Sequence, residues 1–130
     1  MKRILLTCDL NGYNEKAKEY IYKNFIPENT LLFIAAISDK NSNQTDDSIL
    51  KIKQNFSNFN IKHNVFSVRK ADEEILNYIF QNKISCLIVP KPKKHSINPI
   101  TYSASLYAAK YSDSTVIIVW IQNIYKYIVL

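Results

Sequence analysis

Apolar runs alternate along the chain with segments in which apolar residues recur every three or four positions. The runs, which predict strands, are RILLTC (3–8), TLLFIAAI (30–37), HNVFSV (63–68), SCLIV (85–89) and STVIIVWI (114–121). The second run is apolar after its first residue, which is typical of a strand covered on both faces. The pattern therefore predicts five strands of the length found in globular sheets.

Four helices are predicted between these strands. Apolar residues at helical spacing mark three of them: Ala17, Tyr20, Ile21 and Phe25; Ile49, Ile52, Phe56 and Phe59; and Ile75, Ile79 and Phe80. The fourth is SASLYAAKYS, residues 103–112. Asn14 is placed to cap the first helix and Pro27 to close it.

Acidic residues favour two of the helix starts, because a carboxylate interacts well with the positive end of the helix dipole. SDKNSNQTDD (38–47) predicts a polar loop, and its last residues, Asp46 and Asp47, precede the second helix. Residues 72–74, all acidic, open the third. Strands that alternate with helices in this way predict an α/β fold, an open five-stranded parallel sheet sandwiched by helices.

The composition is that of an ordinary globular domain, with 47% hydrophobic and 22% charged residues among 130. The first apolar run is too short for a secretory signal, and VIIVWI (116–121) is too short for a membrane span. Cys8 and Cys86 lie in strand-like runs, so we expect buried, reduced thiols in a cytoplasmic protein. His63 is expected at the surface. No Cys/His spacing suits a metal site, and none is predicted.

The glycine content and the net charge limit the classes of ligand that the chain is expected to bind. Gly12 is the only glycine, so the P-loop and dinucleotide motifs, whose glycines let the main chain approach phosphate, are absent. The net charge of +6 would attract nucleic acid. The lysines are nevertheless spread over the chain, apart from a cluster at Lys91, Lys93 and Lys94. Nucleic acid is therefore an alternative partner on charge alone, and no membrane partner is expected.

Ligands in an open α/β sheet bind beyond the carboxyl ends of the strands, where the strand order reverses. The residues that follow the first two strands are Asp9, Asn11, Ile37, Ser38 and Asp39. After the fourth strand comes the basic stretch VPKPKKHSINPITYSAS (89–105), and the fourth helix is predicted to begin near Ser103. A hydroxyl and main-chain N–H groups at a helix start bind anions, so this stretch is a candidate phosphate site.

Three stretches share their order and spacing with one known family. They are TCDLNGYNEKAKEY (7–20), ADEEILNYIFQNKISCLIV (71–89) and YSASLYAAKYSDSTVIIV (102–119). From Arg3 to about Trp120 the chain resembles the universal stress proteins, small Rossmann-like domains of the adenine-nucleotide α-hydrolase-like type. The resemblance implies that Asp9 lies near a bound nucleoside and that the main chain near Ile37 meets the adenine.

The family's triphosphate loop has the form Gly-x-x-Gly, a spacer, then Gly-Ser at the start of the last helix. In this chain Lys91, Lys94 and Tyr102 stand at the three glycine positions. The serine is kept as Ser103, and Ser105 follows one place beyond Ala104. The resemblance therefore implies a site that has lost all of its glycines.

Two readings of this altered loop remain open. A side chain at a positive-φ position costs on the order of 1 kcal/mol, and Pro90 and Pro92 restrict the loop further, which favours a closed site and no cofactor. In the other reading, ATP or AMP is held by charge at Ser103 and four basic-loop residues: Lys91, Lys93, Lys94 and His95.

The last ten residues, IQNIYKYIVL (121–130), continue past the domain of residues 1–120 to which the resemblance applies. The family commonly dimerises through its last strand, so the resemblance implies a dimerisation strand or an exchanged arm. The alternative is a sixth edge strand packed on its own subunit.

The leading functional hypothesis is a cytoplasmic stress-response regulator, a homodimer with a degenerate nucleotide site that acts through an unidentified protein partner. The alternatives are an adenine-nucleotide or phosphate-ligand binder and a nucleic-acid-associated basic protein. An enzyme is the least supported class, since neither a catalytic triad nor an acid–base pair stands out.

Overall fold

A computed structural model describes the main chain of residues 1–10, 15–39, 42–90, 99–119 and 124–128, and the side chains of these except 9, 42–43, 99–101 and 124–128. These ranges contain, in chain order, β1 (Lys2–Asp9), α1 (Glu15–Asn24), β2 (Thr30–Ile37), α2 (Ser42–Asn55), β3 (Asn60–Phe66), α3 (Ala71–Gln81), β4 (Cys86–Pro90), α4 (Pro99–Tyr111), β5 (Thr115–Val119) and β6 (Ile124–Ile128). A 3-10 turn at Pro27–Asn29 leads into β2.

The strands form one sheet in the order β3-β2-β1-β4-β5-β6. β1 to β5 are parallel throughout, and the four helices flank them, which confirms the predicted α/β fold. The chain winds outward from β1 to β3 and then returns to the other side of β1 with β4. The strand order therefore reverses between β1 and β4, whose carboxyl ends lie side by side.

Alternate residues of each strand enter two separate cores, because side chains on a strand point to opposite faces in turn. The α1/α2 core is closed by aromatic rings, with Tyr22 stacked on Phe56 at 5.9 Å and edge-on to Phe59 at 5.2 Å. The α3/α4 core is closed by α3 and by the small inner residues of α4: Ala104, Ala108 and Ala109. All eight residues of β2 are buried, as expected for a strand covered on both faces.

The third strand differs from its prediction. It begins at Asn60 and ends at Phe66, rather than spanning 63–68, and only Phe66 is buried. The reason is its place at the edge of the sheet, where β3 pairs with β2 alone among the described residues. Edge strands commonly carry polar and charged side chains.

The second helix also differs from its prediction, since α2 begins at Ser42 and the loop expected over 38–47 is wrong for residues 42–47. Asp46 and Asp47 lie inside the helix instead of before it. This polar stretch contains neither glycine nor proline, and the buried Thr45 ties it to the protein interior. Helical packing outweighs the loop tendency of its polar residues. The third helix has the expected range, but Phe80 points outward and is 57% exposed.

The third helix ends in a left-handed residue that is not glycine. Lys83 has φ 52°, its N–H donates to the carbonyl of Phe80, and the N–H of Ile84 donates to the carbonyl of Ile79. This pair of bonds is the Schellman motif. Glycine normally occupies the left-handed position because it has no Cβ, so Lys83 stores a local conformational cost.

Residues 124–128 form β6, which pairs antiparallel with β5 of the same chain. The described part of the extension is thus a sixth edge strand on its own subunit, the alternative left open above. The described part of the fifth strand spans Thr115–Val119, and the last two residues of its predicted range, 120 and 121, lie outside the described residues.

Both cysteines are buried and reduced, as expected. In the sheet register Cys86 is level with Ile4, four residues from Cys8 along β1. At about 3.3 Å per residue the two lie ~13 Å apart, too far for a disulfide. In the described ranges, no helix combines the length and apolar character needed to cross a bilayer.

Candidate functional site

The reversal of strand order brings two predicted site residues to the same edge of the sheet. β1 ends at Asp9, whose register partner is Ile37 at the end of β2, and β4 ends beside them at Pro90. The Ile37 side chain is only 4% exposed and packs into the α3/α4 core. Its main chain, rather than its side chain, is therefore what this edge presents.

Several predicted site residues lie outside the described residues: Asn11, Lys91, Lys93, Lys94 and His95. The predicted cap at Asn14 lies outside them as well. Both readings of the basic loop therefore stay predictions. What the structure does describe is the strand before this loop and the helix after it.

The fourth helix begins four residues earlier than predicted, at Pro99 rather than near Ser103. Proline is favoured at the first position of a helix, because its fixed φ suits the helix and its missing N–H would have had no intrahelical partner. Ser103 is consequently the fifth residue of α4. Its main-chain N–H is directed at the carbonyl of Pro99, as the i to i−4 pattern requires. The prediction that Ser103 marks the helix start is wrong.

Ser105 is fully buried and its hydroxyl donates a hydrogen bond to Oγ1 of Thr7 at 2.8 Å. Thr7 is itself 1% exposed and lies two residues before the end of β1. The bond therefore joins α4 to the central strand beneath the carboxyl edge of the sheet. Ser105, predicted as a phosphate contact, is part of the packing between helix and sheet.

A cleft of about 450 Å³, called here the α3–α4 cleft, opens between the turn after β3 and the first half of α4. Its described lining consists of Val68, Arg69, Ala71, Asp72, Ser103, Ala104 and Tyr107. Its size is typical of small-molecule pockets. Of the predicted site residues that the structure describes, Ser103 alone lines it. Arg69 was missed, although it directly follows the predicted third strand and the rule that selected Asp9 would also have selected it.

Hydrogen bonds hold the wall of this cleft against the end of β2. The N–H of Ser38 donates to the carbonyl of Phe66 at 3.0 Å. One carboxylate oxygen of Asp39 accepts the N–H of Val68 at 3.2 Å. Ser38 and Asp39 were singled out for their place after the second strand, and here they position the turn that carries Arg69.

The cleft combines a cation, an anion and an aromatic ring. Arg69 is exposed, whereas Asp72 is half-buried and accepts the N–H of Glu73 at 2.8 Å. A guanidinium matches the geometry of a phosphate or carboxylate, and a carboxylate accepts hydrogen bonds from an amine. Tyr107, 36% exposed, adds an aromatic ring to the lining and also packs against Tyr111, with 4.8 Å between the ring centroids. The arrangement suits a small ligand with an anionic group and a planar, amine-bearing part.

His63 is exposed on β3, as expected for a surface residue, and its environment disfavours the imidazolium form. Partial burial lowers the pKa of His63, nearby Lys53 lowers it further, and Asp46 opposes them. Both neighbours belong to α2. Within the described ranges, no three His, Cys, Asp or Glu side chains lie close enough to hold a metal ion.

A scan against models of known protein families finds no match, and a search of curated proteins finds no significant match either. The likeness to universal stress proteins therefore rests on the three stretches quoted above, which fall on β1 and α1, on α3 and β4, and on α4 and β5.

Proposed function

We propose that this chain is a universal-stress-protein-like regulator of the cytoplasm, with a degenerate nucleotide site, that forms a homodimer and acts through protein partners. The family part is supported by the three stretches and by their order along the chain. A parallel sheet whose strand order reverses between β1 and β4 is compatible with it. The proposal that nucleotide binding has been lost rests on a separate observation.

That observation is the position of Ser103 within α4. In the family the glycine and serine at the helix start offer main-chain N–H groups to the triphosphate. Here Tyr102 and Ser103 come a full turn into the helix, where the N–H of Ser103 bonds to the helix itself. Tyr102 also packs against the α3/α4 core, so its ring occupies the side of the helix that faces the sheet.

The packing around Ser105 also supports the proposed loss of the nucleotide site. Its hydroxyl is committed to Thr7, which fixes α4 on β1 directly below the edge where a nucleotide would lie. Moving α4 to open a phosphate site would break a fully buried hydrogen bond. Leaving a buried polar group unpaired costs about 1–3 kcal/mol, so the closed arrangement is favoured.

A second candidate function is the binding of a small phosphorylated ligand such as AMP in the α3–α4 cleft. Arg69 and the Ser103 hydroxyl supply the anion contacts, and Tyr107 supplies a ring for stacking. This ligand would be held by side chains, whereas the family holds its triphosphate by main-chain groups. The two proposals therefore differ in their response to a change at Arg69.

Thermal melting with ligands separates the two. The chain is melted with millimolar Mg-ATP, AMP, adenosine or pyrophosphate, and a ligand at about 100 times its dissociation constant should stabilise by roughly 2.7 kcal/mol, a shift of several degrees. The leading proposal predicts no shift. A shift with AMP that Arg69→Ala removes and Lys70→Ala keeps would favour the cleft. A shift with Mg-ATP that survives Arg69→Ala would contradict both, because the family site would then be intact.

The homodimer is tested through the extension. The outer edge of β5 is already occupied by β6, so a dimer through the last strands would use the outer edge of β6. Light scattering should give the mass of two chains, and a variant that lacks residues 121–130 should give the mass of one. A single-chain mass for the unchanged protein would remove the homodimer from the proposal.

A further inference from the structure

β3 leaves one side of its main chain without a partner. The carbonyl of Phe66 accepts from Ser38 next to β2, which fixes the direction of the main-chain groups along the strand. Since these groups point to alternate sides of a strand, Ile61, His63 and Val65 direct theirs away from β2. Across the residues that the structure describes, nothing hydrogen-bonds to these three outward N–H and carbonyl pairs.

A groove of about 250 Å³, called here the β3–α3 groove, runs beside this open edge. It is lined by Asn64, Phe66, Glu74, Asn77, Tyr78 and Gln81. Its floor is aromatic, because the ring of Tyr78 meets Phe66 at 5.5 Å and Phe33 at 5.8 Å, both edge-on. Burial against these rings raises the pKa of Tyr78, so the phenol stays neutral at physiological pH. The rim, in contrast, carries amides.

Two side chains of opposite charge accompany the groove: Glu74 lines it, and Lys62 lies on the same face of β3 beyond its lining residues. A connection between parallel strands must run back along the sheet, so α3 is antiparallel to β3. Glu74, in the first turns of α3, therefore lies near the end of β3 beside Phe66. Lys62 precedes Asn64 on the groove side of the strand and lies toward the opposite end. Both side chains reach solvent.

We propose that this edge binds an extended peptide segment of a partner protein, added to the sheet beside β3 with alternate side chains in the β3–α3 groove. Main-chain bonds to Ile61, His63 and Val65 would supply affinity, as in other cases of strand addition. The side chains in the groove would supply specificity. A peptide that matches the groove has a lysine or arginine beside Glu74, an apolar or aromatic residue over Tyr78 and an acidic residue beside Lys62. One further residue separates each of these three peptide residues from the next.

Charge selects such a partner over a second copy of the chain. Two copies of β3 paired antiparallel about His63 would place Lys62 of each copy opposite Asn64 of the other, so the two Lys62 ammonium groups would be diagonal neighbours on one face. Like charges this close repel each other, and charged side chains on edge strands oppose self-association. A partner with alternating cationic, apolar and acidic residues meets the same edge without this repulsion.

The test uses two blocked heptapeptides, Thr-Lys-Thr-Phe-Thr-Glu-Thr and its reversed sequence, one for each direction of pairing. Amide NMR of the full chain should show that one peptide saturably shifts the signals of Ile61, His63 and Val65 and slows their hydrogen exchange about tenfold or more. Lys62 and Asn64, whose N–H groups already face β2, should change little. If neither peptide produces this alternating pattern at millimolar concentration, the proposal is overturned.

Two variants and two modified peptides sharpen the result. Val65→Pro removes an outward N–H, a change that an edge strand tolerates, and should abolish binding, whereas Val65→Ala should keep it. Glu74→Gln should weaken binding about two- to fivefold, the range of an exposed ion pair. On the unchanged protein, two peptides are compared that carry N-methyl groups on alternate main-chain nitrogens. Methylation of the nitrogens that face β3 should abolish binding, and methylation of the other set should not. Binding that survives both sets overturns the proposal. A dimer that is present without peptide and that Val65→Pro dissociates would also overturn the proposal, because a second copy of the chain would then occupy the edge of β3.

Discussion

The two faces of the sheet are closed by different means. Over the α1/α2 core, Tyr22, Phe56 and Phe59 meet ring against ring. Over the α3/α4 core, α4 presents alanines, and a helix with such small residues lies close to the strands beneath it. Rings also meet over the α3/α4 core, where Tyr78 packs against Phe33 and Phe66, so the two faces differ chiefly in the small residues of α4.

This difference coincides with the position of the clefts. The α3–α4 cleft and the β3–α3 groove both involve α3, on the face where α4 packs through alanines. The cleft opens beside α4, whereas the groove has the aromatic floor formed by Tyr78 and Phe66. Both surfaces that we propose for recognition therefore lie on the α3/α4 face, whereas the aromatic cluster of the α1/α2 face contributes to stability.

The largest effect should come from removing an aromatic ring of the α1/α2 face. Phe56 is fully buried, so Phe56→Ala should lower the free energy of unfolding by about 3–5 kcal/mol, measured by urea denaturation. Phe80→Ala is the matched control on the other face, where the ring is 57% exposed and the loss should be small. Equal losses for the two variants would break the comparison.

The next effect concerns the buried bond that holds α4 on β1. Ser105→Ala leaves the hydroxyl of Thr7 without this donor, so the variant should lose about 1–3 kcal/mol of stability. Adding Thr7→Val should recover part of the loss, because the pair is then replaced by apolar groups. A double-mutant cycle measures the coupling, and strictly additive losses would mean that the bond does not join helix and sheet energetically.

A gain of stability is expected at the end of α3. Lys83→Gly places glycine at the left-handed position and should stabilise the protein by about 1 kcal/mol, or several degrees in a thermal melt. Lys83→Ala keeps the Cβ and serves as control, with little expected change. A loss of stability with glycine would show that the helix end has another conformation.

The smallest effect is a pH dependence on the α1/α2 face. The pKa of His63 is lowered in the folded chain, so the unfolded chain binds this proton more readily. Stability should therefore rise as pH increases from below the folded pKa to above the ordinary value of about 6.5. His63→Gln should flatten this rise, and a variant with an unchanged slope would contradict the assignment.

The alternation of apolar runs and helical stripes was sufficient to predict the parallel α/β fold, because strands that alternate with helices are typical of a parallel sheet joined by crossover helices. The early start of α4 was also readable, since Asn-Pro at 98–99 is a typical pair for the cap and first position of a helix. That signal was overlooked in favour of the family's pattern at Ser103. The start of α2 was not readable, because its polar residues favour loop and helix almost equally.

Neither recognition surface could be predicted from sequence alone. The α3–α4 cleft depends on α3 and α4 lying side by side, which follows from the strand order and not from local patterns. The β3–α3 groove requires β3 to be the edge strand, and the run HNVFSV predicts a strand but not its place in the sheet. Ser105 was predicted at a ligand, and only tertiary structure shows Thr7 opposite its hydroxyl.

The central claim is that the start of α4 has become part of the packed domain and no longer receives a triphosphate. Amide NMR of the full chain with and without millimolar Mg-ATP tests it most directly, because each signal reports its own position. The account predicts unchanged signals for Asp9, Ile37 and Ser103. Saturable shifts of these three signals together would contradict it, because a nucleotide would then lie at the reversal of strand order after all.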